Sequence, residues 1–328
     1  MARFPTLLDV TMALDPDGGI AAVAELLSQT NEIMADWTFQ EGNLTIGHQS
    51  VIRTGLPSVT WRKLYGGVQA DKSRRARITD SCGMMEAYNE VDKALADLNS
   101  NANEFRASEA RAQIEAMSQD LAETLFYGNI SVNPERFEGL ASRYSSLSAD
   151  NRENIIDAGG TGSDNASIWL IAWDPQAIFG IYPKGSTAGI QMNDKGQVTI
   201  ENIDGAGGRM EAYRTHFRVD AGLVLKDWRY VVRICNIDRS LLSVSMATGA
   251  DLNDLMSEAL ERLPMVTANT AFYGDRDMRQ MWRKQTAYKL KDSSLTMEDV
   301  GGVRSPMFQG EVPMRRVDRL AIDEARVV

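Results

Sequence analysis

Two histidines, His48 and His216, and two cysteines, Cys82 and Cys235, are the whole supply of imidazole and thiol side chains in this 328-residue chain. Base catalysis near neutral pH usually rests on a histidine held beside a nucleophile. His216 sits in a strand-like run, Arg214-Thr-His-Phe-Arg218, and reads as an ordinary satisfied residue. The cysteines are far apart and form no CxxC, so neither a disulfide framework nor a structural zinc site is signalled. Gly185-Ser-Thr-Ala-Gly189 has the glycines of a nucleophile elbow, but its serine is misplaced for GxSxG. Gly159-Gly-Thr-Gly162 lacks the third glycine of a dinucleotide loop, and Lys184-Gly-Ser186 inverts the order of a phosphate-binding loop. There is no HExxH and no calcium loop. Glu298 and Asp299, beside glycines, make an acidic turn. The sequence thus offers no catalytic, cofactor-binding or metal-ligating residue, and the expectation is a protein that is not an enzyme.

The chemistry that remains is charge, and it is unevenly distributed. From Val51 to Thr79 there are seven bases, Arg53, Arg62, Lys63, Lys72, Arg74, Arg75 and Arg77, against Asp71 alone. From Met84 to Tyr127 nine acids, among them Glu104, Glu109, Glu115, Asp120 and Glu123, face three bases. Adjacent blocks of opposite sign invite pairing. The whole chain carries a net charge of −10, which argues against a general nucleic-acid binder. No apolar run reaches the length of a membrane span, and Asp9 falls too early for a secretory signal. Synthesis and folding in the cytoplasm are the expectation, with the Asn-x-Ser/Thr triplets at Asn43, Asn129 and Asn165 as chance matches.

The acids are carried by a long helix. Ala110, Ile114, Met117, Leu121 and Leu125 recur at spacings of three and four, predicting a helix over 101–127. Asn101 with Glu104 makes a capping-box-like start, and Gly128 a natural stop. The bases lie in a glycine-punctuated stretch, 37–80, whose runs such as SVTWRKLY alternate as a half-buried ribbon does, with Gly66-Gly67 as its turn. A two-stranded ribbon has no core of its own and must lie on something.

Elsewhere the pattern predicts an extended arm over 1–16, an amphipathic helix over 17–34 and a second helical stretch over 84–99. The apolar run Ile168–Trp173 reads as a buried strand stopping before Pro175. Residues 197–203 and 209–218 read as partners across a glycine turn, and 223–225 with 230–234 as a further hairpin turning at Lys226-Asp227. Thr248 or Asp251 caps a helix ending at Pro264, a short helix carries Met278, Met281 and Trp282, and a strand runs over 313–322. The class is α+β. An arm and a ribbon that cannot bury themselves make sense if neighbouring copies supply the missing surface.

This layout resembles the major capsid proteins of tailed bacteriophages, the family with the HK97-like shell fold, and the short-tailed group in particular. The likeness is strongest at Asp227-Trp-Arg-Tyr-Val-Val-Arg-Ile-Cys-Asn-Ile-Asp238 and Phe308-Gln-Gly-Glu-Val-Pro-Met-Arg-Arg-Val-Asp318. The resemblance implies an N-terminal arm at 1–46, an extended loop at 47–83, a peripheral domain with a spine helix at 84–149, a β-rich axial domain at 150–263 and a return to the peripheral sheet at 264–328. It implies self-assembly into pentamers and hexamers around double-stranded DNA, with separate scaffolding, portal and cement proteins, no cofactor and no covalent cross-link. Contacts between subunits are then expected to join Arg62, Lys63, Lys72, Arg74, Arg75 and Arg77 to Glu104, Glu109, Glu115, Asp120 and Glu123 of the next copy. A cellular cargo compartment of the encapsulin type, built on the same fold, is the alternative, and a soluble enzyme a lesser one.

Overall fold

A computed structural model describes residues 29–97, 102–201, 207–290, 307–308 and 312–328. The arm over 1–16, nearly all of the helix expected over 17–34, and the Asn101 cap lie outside these residues. In chain order the elements are α1 (Ile33–Asp36), β1 (Phe39–Glu41), β2 (Gly47–Gly55), β3 (Arg74–Asp92), α2 (Lys93–Asp97), α3 (Ala102–Tyr127) and α4 (Leu140–Arg143). Then follow β4 (Ile155–Asp157), β5 (Asn165–Ala172), β6 (Ile178–Tyr182), β7 (Gln191–Glu201), β8 (Arg209–Leu225), β9 (Val231–Asp238) and α5 (Leu252–Arg262). The chain closes with β10 (Thr270–Gly274), α6 (Arg276–Leu290), β11 (Met307–Phe308) and β12 (Val312–Arg316).

The strands form two sheets. In the first, β8 is the centre: β3 pairs along one edge of it, while β7 and β6 follow one another along the other. The first half of β3 continues past β8 and pairs antiparallel with β2, so one 19-residue strand belongs both to the body and to a projecting hairpin. In the second sheet, in the order β11-β12-β10-β5-β9-β4, every residue of β5 and of β9 is buried. Alternation explains the unbroken apolar run: Trp169, Ile171 and Trp173 face the core shared with α3, whereas Ile168, Leu170 and Ala172 face α5 and α6.

The long helix forms as expected, 26 residues and about 39 Å of it. Only its C-terminal half is core, however. Met117, Leu121, Leu125 and Phe126 are buried, while Ile114 is exposed. Gly128 ends it for a steric reason, since a Cβ there would meet the Phe137 carbonyl oxygen at 2.3 Å.

Several expectations are corrected. Residues 84–92 are strand, not helix. Met85, Tyr88 and Val91 fit a period of three or four, but pairing with β8 sorts them by two: Glu86, Tyr88 and Glu90 face Arg218, His216 and Arg214. β8 and β9 are not a hairpin, because the chain crosses from the first sheet to the second between them, through a turn of 3-10 helix at Trp228–Tyr230. The helix bearing Met278 is long, and β12 stops at Arg316, where Asp318 turns back to accept the Thr30 amide. Strands drawn from 150–263 share the first sheet with β2 and β3 and the second with β10 and β12. In particular, β12 joins the sheet of β5 and β9.

The last residues fasten the spine helix to the second sheet. Glu324 accepts hydrogen bonds from Tyr127 of α3 (2.5 Å), from Arg233 of β9 (2.7 Å) and from the Ser167 hydroxyl of β5. The Arg233 and Glu324 side chains retain only 5% and 6% of their accessible surface. Removing one member of a buried pair strands the other charge, at about 3–5 kcal/mol. Glu324→Ala is expected to lower unfolding free energy by about that amount in denaturant titrations. A Glu324→Ala subunit as stable as the wild type would show that the fastening carries no load.

Candidate assembly surfaces

The hairpin leaves the body at His48 and Asp80. Gly47 admits no side chain here, because a Cβ would lie 2.1 Å from the Asp80 carbonyl oxygen. Arg143 donates to the buried Asp80 carboxylate at 2.9 Å. Burial raises the pKa of that carboxyl above its usual value, and Arg143 opposes the rise. The His48 ring meets the Phe179 edge at 5.7 Å, and its Nδ1 is buried without a partner. Burial first, and then the Lys226 charge, hold its pKa below the ordinary 6.5, against a smaller opposite pull from Asp80.

Beyond this root the strands are arginine-rich and unneutralised. Arg53 stands directly across from Arg75, and Gly55 from Arg74. Like charges directly opposite destabilise a ladder unless a counter-charge is supplied. Arg53, Arg74, Arg75 and Arg77 are exposed, and none forms an ion pair among the described residues. The same holds for Arg62, Lys63 and Lys72.

Between the strands, residues 56–73 are not the continuous ribbon expected. SVTWRKLY is an open tip, tied across its base by Ser58, whose amide and hydroxyl both donate to Asp71 at 2.7 Å. It turns at Leu64 and Tyr65, just before the two glycines expected to turn it, with Tyr65 at φ 63° and the Gly66 amide on the Lys63 carbonyl. The tip is apolar and bare. Trp61 is 100% exposed, Val59 91% and Leu64 84%, with Leu56 and Tyr65 beside them. Scattered apolar residues on a surface mean little, but five within ten residues on one projection make a patch in want of a partner.

The acids expected to answer these bases are largely engaged within their own subunit. Asp120 pairs with Arg136 at 3.0 Å, Glu123 with Arg319, and Glu115 accepts from the Gln29 amide and Gln119. Glu109 has no cation, and burial raises its pKa. Glu104 lies in the first turn of α3, and its side chain is outside the described residues. Among the described residues no hydrogen bond or ion pair joins the two sets. Sequence reasoning missed the apolar tip by reading it as strand, although Trp61 and Tyr65 between Pro57 and Gly66 were the signal. It missed Arg136 and Arg319 as partners because the fold, not the sequence, brings them to α3.

Nothing here resembles a reaction centre. Burial pushes the Cys82 thiol up to about 12 and the Cys235 thiol up to about 11, far from the thiolate that would react. His216 is satisfied, stacked on Tyr88 at 4.5 Å with Nε2 3.2 Å from Glu86.

A two-sheet body on a spine helix, with a cationic hairpin and a bare apolar tip that its own chain does not cover, defines a subunit of a larger protein shell. The family model for major capsid protein GP7 matches residues 15–328, and the chain belongs to that family. The structure of bacteriophage Epsilon15 contains a similar chain, 32% identical, with a TM-score of 0.78 over 99% of this chain and 97% of that one. More distant likenesses include the capsid of the native GTA particle, 7% identical with a TM-score of 0.47 over 68% of this chain and 95% of that one. The SrpI encapsulin of Synechococcus elongatus PCC 7942 is 10% identical, with a TM-score of 0.44 over 72% of this chain and 96% of that one. A search of curated proteins finds no match. The chain is therefore a tailed-phage major capsid protein with the HK97-like fold, a structural component of the virion shell rather than an enzyme. It assembles with copies of itself into an icosahedral head.

His48 gives the hairpin root a pH dependence. The unfolded chain takes up a proton near pH 6.5, whereas the folded imidazole does so only at lower pH, so between the two values the unfolded state binds more protons. Stability is thus expected to fall as pH drops below about 6.5 and to be flat above about 7.5. Thermal melts of His48→Gln should lose that part of the slope; an unchanged slope would exclude His48 as its source.

Proposed function

We propose that the hairpin is the principal non-covalent clasp between neighbouring subunits, its apolar tip buried on the next copy and its arginines neutralised there. The observation that carries this reading is Trp61, wholly exposed at the end of a hairpin whose strands set Arg53 against Arg75. Burial of the tip supplies the stronger term, since a fully buried large apolar side chain contributes about 1.5–3 kcal/mol and an exposed ion pair about 0–1 kcal/mol. Weak contacts repeated over a whole shell hold it, and their reversibility lets misplaced subunits leave. With Asp120 and Glu123 in ion pairs and Glu115 accepting two neutral hydrogen bonds, Glu109 is the acid of the expected set left without a side-chain partner among the described residues.

In place of the boundaries at 150 and 263 that the resemblance implied, the first sheet with α3 is taken as the peripheral body and the second sheet with α5 and α6 as the axial body, because β6, β7 and β8 share the sheet of β3 while β10 and β12 join β5 and β9. Pentamers and hexamers of this unit enclose double-stranded DNA, with scaffolding, portal and cement proteins as separate chains and assembly in the host cytoplasm.

Two variants test the clasp. Trp61→Ala and the triple reversal Arg74→Glu, Arg75→Glu, Arg77→Glu should each yield folded, soluble subunits that fail to close shells in electron micrographs, with unchanged circular dichroism. Normal shells from the triple variant would exclude the arginine contact, and normal shells from both would exclude the clasp.

A further inference from the structure

The outward stripe of α6 carries a feature that the clasp does not use. Its inner face, with Met278 and Trp282, packs into the core beside the second sheet. On the opposite side Arg276, Arg279, Arg283 and Lys284 recur at helical spacing, and Arg316 of β12 completes an open groove of about 600 Å³. Among the described residues no carboxylate and no aromatic ring contributes to its wall. Arg279 and Arg316 are braced from behind, by Glu32 at 3.3 Å and Asp318 at 2.5 Å, and Arg276 lies 3.8 Å from Asp277. Among the described residues Arg283 and Lys284 make no ion pair, although the Glu32 charge acts on Arg283 from a distance. The Arg283 guanidinium has its pKa lowered by partial burial and by the neighbouring Arg279 charge. Five cations gathered in one groove run against a chain whose net charge is −10.

We infer that this groove holds the phosphate backbone of duplex DNA, an inference that rests on the reading of the shell as a DNA container. From Arg276 to Ala287 the stripe runs about 16 Å, which reaches two or three successive phosphates of one strand, since about 3.4 Å is only their rise along the duplex axis and the strand winds between them. A straight row of guanidinium groups suits evenly spaced oxyanions, which arginine can clasp with two parallel hydrogen bonds. The absence of aromatic rings from the wall removes the stacking platform that single strands use, and a groove without base-reading geometry confers no sequence preference. The braced arginines are held in place by their acids, while Arg283 and Lys284 supply the uncompensated charge. Contacts so few make the affinity weak, and a weak hold suits DNA that must enter and leave.

The test uses full-length subunits and a random duplex of about 30 base pairs, with dissociation constants measured between about 50 and 200 mM salt. The double variant Arg283→Glu, Lys284→Glu should weaken binding at least about tenfold and reduce the slope of log affinity against log salt by about 2, one unit for each lost phosphate contact. Arg283→Gln, Lys284→Gln should move both quantities in the same direction by less, with an unchanged melting temperature. If both variants bind as the wild type does, or if only the hairpin triple reversal abolishes binding, the groove is not the DNA site. Polyglutamate displaced by these variants while DNA binding persists would assign the groove to an acidic protein segment instead, and would overturn the proposal. In particles, Lys284 should resist amine acetylation in DNA-filled heads and react in emptied ones; equal reactivity in intact heads overturns the groove while leaving the shell reading in place.

Discussion

The contact on which the rest depends is the buried cluster around Glu324. Three elements that are remote in sequence, α3, β5 and β9, each send it one donor, Tyr127, Ser167 and Arg233. An ion pair in such a place is not a cheap source of stability, because both charges give up water before they attract each other. It is demanding instead. Burial and the Glu324 charge drive the Tyr127 phenol well above its usual pKa, so that it remains a hydrogen-bond donor to the carboxylate. The Asn236 side chain extends the fastening by exchanging hydrogen bonds with the Val327 backbone. The spine helix and the second sheet thus keep one mutual setting, fixed by residues about two hundred positions downstream of the helix.

Against that fixed body the hairpin is built to the opposite rule. Within the body cations have carboxylates: Arg106 with Asp194, Arg136 with Asp120, Arg143 with Asp80, Arg214 with Glu90. Along the hairpin Arg53 faces Arg75, and apolar side chains stand in solvent. Among the described residues many of the body's cations are paired and none of the hairpin's is, a division that fits the clasp proposed above. The α6 groove falls between the two, with some cations braced and others open.

How far this was legible in the sequence depends on the range of the forces involved. The spine helix, the buried strand β5 and the Asp251-capped α5 are local patterns, and each was readable. Asp251 accepts from the Asn253 and Asp254 amides, as a capping aspartate should. The β7–β8 pairing was readable too, because its partners flank one glycine turn. Residues 84–92 were not. Their apolar positions satisfy either period, and the choice is made by β8, more than a hundred residues later. The charge blocks pointed to the hairpin, whose bases are exposed and make no ion pair among the described residues. That Asp120 and Glu123 are engaged within their own subunit was not readable, since Arg136 and Arg319 reach α3 only after the chain has folded.

One further property follows from the length of β3. The same strand that pairs with β2 in the hairpin runs on into eleven consecutive residue pairs with β8, from Cys82 opposite Gly222 to Asp92 opposite Ala212. Tension applied to the hairpin along its axis therefore loads those hydrogen bonds side by side, in shear, and none can rupture ahead of the others as the teeth of a zipper do. Under the clasp proposed above, a pull from a neighbouring subunit passes straight into this ladder of eleven pairs.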